Sequence, residues 1–150
     1  MKHATELAGA GHWPVADAVD RVSLDHILRQ KRRLRVTAEQ GSDIMIDLPG
    51  NATMRQGDGL LLEEGGWIEV VAAPEKVAIV RFTDPLHQAK LAWHLGNRHT
   101  PAEIRPDCIL IAWDSVLADM LRHQGAVVEE AESVFQPESG AYHGHGGHHH

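Results

Sequence analysis

The chain changes character at Ala72-Ala73-Pro74, where a half made of strands and turns gives way to one that mixes strands with helices, and that seam divides it into two units. Before the seam, "DRVSL" (20–24), "RLRVTAE" (33–39) and "DIMIDL" (43–48) alternate or carry β-branched residues, which is the signature of strands. "QGSD" and "PGN" punctuate them as turns, "GDG" opens "LLLEE", and "GG" opens "WIEVVAA". No convincing helix is read before residue 75. After the seam, "EKVAIVRF" (75–82) is a strand, and Asp84-Pro85 is a helix start, a side-chain cap followed by proline at the first helical position. Leu86, Ala89 and Trp93 are expected to share that helix's apolar face, and Gly96 to stop it. "AEIRP" and "CILIAW" read as two short strands around a Pro-Asp turn. A second helix is expected from Asp114 or Ser115, with Val116, Leu117, Met120 and Leu121 as its apolar stripe and Gly125 at its end. "AVVEEAE" is a final strand. The order β-α-β-β-α-β is the split β-α-β, or ferredoxin-like, arrangement.

The expectation is therefore an α+β chain. Residues 1–74 form a small all-β domain with a loose leader over 1–18, residues 75–136 form the ferredoxin-like domain, and residues 137–150 form a flexible His-rich tail.

Charge and composition narrow the function. A formal charge of −7 opposes general nucleic-acid binding, which needs basic stripes to release counterions from phosphates. The basic run "RQKRRLR" (29–35) reads as a solvated strand or loop. One cysteine, Cys108, forbids an internal disulfide and suits a cytoplasmic location; in "CILIAW" it reads as a core thiol. Neither a signal peptide nor a run of roughly 20 apolar residues for a membrane span is read. G-x-S-x-G, H-E-x-x-H and phosphate-loop patterns are absent, and no pair of carboxylates reads as a site.

Histidine is the unusual count: 12 in all, five of them in the last eight positions, "HGHGGHHH". Neutral imidazole suits zinc, copper and nickel, and its ordinary pKa of about 6.5 leaves it open to metal at neutral pH. A Gly/His tail can wrap a metal in many geometries but cannot preorganise a catalytic site, so it suggests capture and hand-over. A purification tag normally carries consecutive histidines after a linker, whereas these are interleaved with glycine after "ESGAY". His87 and His94, seven apart, read as a solvated helix face. His99 lies in the short connection "LGNRHTP". One imidazole holds a metal weakly, but a two-fold dimer brings two copies to one axis.

"HLGNRHTP" (94–101), "VLADMLRHQGAVV" (116–128) and "FQPESGAYHGH" (135–145) together resemble the UreE family of urease accessory proteins, nickel metallochaperones of urease maturation. "IDLPGNATMRQGDGLLLEEGGWIEVVAAPEKV" (46–77) resembles that family's N-terminal domain. The resemblance spans roughly residues 19–150. It implies a homodimer with a partner-binding N-terminal domain and C-terminal domains meeting head to head. It implies Ni(II) held by His99 from each subunit, completed by His143 and His145, with His148, His149 and His150 as further capacity. Zn(II) or Cu(II) would compete for the same site. The cargo would pass to a UreG-type GTPase and the apo-urease assembly complex. No enzymatic activity, nucleic acid or membrane is implied. At Trp113 and Ser115 this chain lacks the extra histidines of some family members, and His3 and His12 stay unassigned. The rival readings are a passive nickel, zinc or copper buffer, which needs neither His99 nor a β domain, and a metallohydrolase, which needs an open ligand set with a general base.

Overall fold

The computed structural model describes residues 1–139 and divides the chain into two compact units, Met1–Ala73 and Pro74 onwards.

The first unit is a six-stranded sheet: β1 (Lys2–Ala8), β2 (Ala18–Leu24), β3 (Arg33–Thr37), β4 (Asp43–Asp47), β5 (Gly59–Leu62) and β6 (Trp67–Ala72). Their spatial order is β2-β6-β5-β1-β4-β3. Period-2 alternation aims one face inward: Ile44 and Ile46 of β4 and Ile68 and Val70 of β6 are buried with Val22, Leu60 and Met54.

The leader is not loose. Lys2–Ala8 lies inside the sheet, antiparallel to β5 (Leu7 opposite Leu60) and parallel to β4 (Ala4 opposite Ile46). The chain that follows is also built in. Trp13 is buried, stacks on Trp67 at 5.5 Å between ring centroids, and donates its indole N–H to the Gly57 carbonyl at 2.9 Å. Gly59 passes beneath it so closely that a Cβ there would come within 2.4 Å of the indole. Nor is the unit purely β. It carries a 3-10 turn (Val15–Asp17) and one helical turn, α1 (His26–Arg29), capped by Asp25, which accepts the Leu28 N–H. That turn overrides the reading of 29–35 as wholly solvated. Arg29 is only 2% exposed, and its Nε–H donates to the Leu24 carbonyl at 3.1 Å. Lys31, Arg32, Arg33 and Arg35 are exposed.

The second unit runs β7 (Glu75–Arg81), α2 (Pro85–Asn97), β8 (Ala102–Ile104), β9 (Ile109–Ala112), α3 (Ser115–His123) and β10 (Val127–Ser133). The sheet order is β10-β7-β9-β8, every neighbouring pair antiparallel, as a split β-α-β unit requires. Asp84 caps α2 by accepting the His87 N–H, and Asp114 caps α3 by accepting those of Val116 and Leu117. Ala78, Val80, Ile109 and Ile111 bury one face of the sheet against Leu91, Leu95, Ala118 and Leu121 of the helices. The other face carries a smaller cluster. Phe135 is fully buried there with Val77, Cys108 and Leu110. Among the described residues no helix is long and apolar enough to cross a membrane.

Candidate metal centre

α2 runs on past the glycine expected to stop it. Gly96 lies inside the helix, which runs to Asn97, and the turn is made by His99 in the left-handed region at φ 55°. The His99 N–H donates to the Gly96 carbonyl and the Thr100 N–H reaches back to Leu95, both at 3.0 Å. These two bonds define a Schellman cap, whose left-handed position is usually glycine. An L side chain there costs about 1–2 kcal/mol. His99 is the one non-glycine with positive φ among the described residues, and it is exposed. Strain of this kind concentrates at functional sites.

The same helix turns an unexpected face outward. Leu86 is 64% exposed, Trp93 65%, and Ala89 is exposed as well. The buried face belongs to Leu91 and Leu95, so the face that Leu86, Ala89 and Trp93 share points away from the core. Val116 is likewise exposed, and Ala118 with Leu121 supplies the buried face of α3. His94 stands edge-on to Trp93, ring centroids 5.1 Å apart.

His87 does not join a solvated face with His94. It is half-buried, and both its ring nitrogens are committed. The Thr83 N–H donates to Nδ1 at 3.0 Å, so Nε2 carries the proton and donates to the Gln124 carbonyl at 2.9 Å. This joins the first turn of α2 to the end of α3. His123 is exposed and donates from Nδ1 to the Asp119 carbonyl at 2.7 Å. Burial pushes the Cys108 thiol up, the opposite of what a nucleophile needs.

A second set of metal-capable donors was not visible in the sequence. His3, Glu63 and Glu64 place one ligand atom each within 4.8 Å of one another, all exposed. The residues are sixty positions apart and meet because the Glu63 N–H donates to the His3 carbonyl at 2.8 Å. His3 N–H and Nδ1 face the two oxygens of Glu64 at 3.0 and 3.2 Å, and hold that carboxyl near 2 rather than 4.5.

Sequence comparison decides between general metal binding and a known line of proteins. The N-terminal domain of the UreE urease accessory protein matches residues 3–73, and its C-terminal domain matches residues 75–150. The chain belongs to the UreE urease accessory protein family. The UreE of Rhizobium rhizogenes is 45% identical over 150 residues, which cover all of this chain and 89% of that protein. The UreE of Chelativorans is 47% identical over 135 residues, 89% of this chain and 85% of that one. For Rhodopseudomonas palustris the figures are 44% over 142 residues, 95% and 66%.

The UreE family is named for an accessory role toward urease, not for a reaction of its own. Of the candidate ligands, His99 lies among the described residues; His143, His145, His148, His149 and His150 lie outside them.

Proposed function

We propose that the protein is a nickel metallochaperone for urease assembly and not an enzyme. Two copies form a homodimer in the cytoplasm, and Ni(II) is their cargo. His99 from each subunit meets at the two-fold axis, and His143 and His145 complete the ligand set. His148, His149 and His150 add capacity. The cargo passes to a UreG-type GTPase and the apo-urease complex. Zinc and copper compete, since imidazole sites follow the divalent series in which copper outranks nickel and zinc.

One juxtaposition supports this reading best. α2 carries the exposed apolar residues Leu86, Ala89 and Trp93 along one face and presents His99 at its end. An apolar helix face wants a partner, and a two-fold axis along it would bring two imidazoles together. A passive buffer has no use for either feature.

The test is calorimetric nickel titration with mass measurement, comparing the full chain with a version ending at Ala141. The full chain should be a dimer with a tight step of one nickel per two chains, followed by weaker binding. The shortened chain should stay dimeric with fewer ions bound. A monomer, or an unchanged capacity, would contradict the proposal.

A further inference from the structure

We propose that the end of the first unit where residues 29–33 meet residues 48–55 docks a partner protein through an acidic surface patch with an apolar centre. The inference involves neither His99 nor nickel.

The fold divides the basic run 29–35. Arg29 is buried, and Arg35 is paired with Asp43 at 3.1 Å. Lys31, Arg32 and Arg33 stay on the surface. Three hydrogen bonds bring a second segment to them. The Leu48 N–H donates to the Arg32 carbonyl at 2.8 Å, and the Met54 N–H to the Arg29 carbonyl at 2.9 Å. Arg32 Nη1–H donates to the Gly50 carbonyl at 2.7 Å. Arg55, exposed, follows Met54 directly and adds a fourth cation to this end. Among the described residues Lys31, Arg33 and Arg55 have no ion-pair partner. Asp47 stands opposite Arg33 in the β3–β4 ladder without forming an ion pair. Ile27, on the helical turn that leads into the run, is 58% exposed.

Solubility does not explain the cluster. A chain of formal charge −7 is kept apart by its acid groups, and local cations only reduce that charge. An anionic partner does explain it, and a protein fits better than a nucleic acid. A nucleic acid runs on past four cations and meets the acidic remainder of the chain. Its bases would also want exposed aromatic platforms, whereas the large apolar residues exposed on this unit are Met1, Val15, Val19 and Ile27. An acidic patch on a protein can end where the cations end. Ile27 supplies the apolar contact, and the arginines and the lysine around it speed the encounter and fix its orientation.

The test uses the full chain and a phage library of random twelve-residue peptides, with Lys31→Glu/Arg33→Glu as the counter-target. Peptides selected on the parent should be rich in Asp and Glu and carry at least one large apolar residue. Made synthetically, they should bind the double variant about tenfold more weakly, and added salt should weaken their binding to the parent. Ile27→Ser leaves the charge unchanged and should cost about fivefold. Lys2→Glu/Lys90→Glu, with the same net charge as the first pair, should stay within about twofold of the parent. Melting curves confirm that each variant is folded; if the charge reversal unfolds the protein, Lys31→Ala/Arg33→Ala takes its place, with about a fivefold loss expected. Selected peptides without acidic enrichment overturn the proposal. So does an equal loss in the Lys2→Glu/Lys90→Glu control, which would make the effect one of bulk charge, or full binding by Ile27→Ser. Tighter binding of a single-stranded thymidine oligonucleotide, or of phosphatidylserine vesicles, than of the peptides would assign the cations to a different partner and overturn it as well.

Discussion

His99 and Gly125 occupy the same backbone position at the ends of the two helices of the second unit. Both are left-handed, at φ 55° and 89°. Gly125 donates its N–H to Arg122 at 3.0 Å, and Ala126 reaches back to Leu121 at 3.1 Å, the pair of bonds that His99 and Thr100 make on α2. One cap uses the residue that suits the conformation; the other accepts strain and gains an exposed imidazole.

Replacing His99 with glycine should therefore stabilise the metal-free protein. Relief of about 1–2 kcal/mol of left-handed strain is partly offset by the 0.5–1 kcal/mol or so of extra chain entropy that glycine loses. The net gain is about 0.5 kcal/mol, a rise of a few degrees in the melt of a unit this size. A lower melting temperature would show that the imidazole packs structurally.

His87→Ala should do the opposite. It leaves the Thr83 N–H and the Gln124 carbonyl without their shared partner. Loss of such bonds at a half-buried site costs about 1–2 kcal/mol, or several degrees of melting temperature. Nickel binding should not change. A variant with the parent's melt but weaker nickel binding would make His87 a ligand.

The His3–Glu64 pair predicts a pH dependence. Hydrogen bonds from the His3 backbone N–H, and then from its ring, hold the Glu64 carboxyl at about 2, below its ordinary 4.5. The folded value is the lower, so the contribution to stability is present above about 4.5 and is lost as pH falls toward 2. With nearly half of each side chain in water, solvent screening keeps it small. A carboxyl-carbon NMR titration should place the Glu64 midpoint near 2. In His3→Ala, which keeps the backbone donor, it should return only part of the way. A parent midpoint near 4.5 would show that the pair does not form in solution.

What the sequence made legible was local. Asp84-Pro85, Asp114 and Gly125 act within one helical turn, and β2, β3 and β4 carry their own alternation. β1 was missed because "KHATELA" is short, sits before a Gly/Ala-rich stretch, and owes its strand to partners around Ile44 and Leu62. α2 has two apolar faces, Leu86-Ala89-Trp93 and Leu91-Leu95, and periodicity finds both without saying which one the sheet covers. The motif around His99 was visible, but its left-handed backbone was not, since glycine three residues earlier was the better local candidate.

The most direct test of the account is a paired nickel titration of the full chain and His99→Ala, followed by calorimetry with the dimer mass monitored throughout. Symmetry removes two ligands from one site. The account predicts loss of the tight step, survival of the weaker binding supplied by the five tail histidines, and an unchanged dimer. A tight step of the parent's affinity in His99→Ala would contradict it.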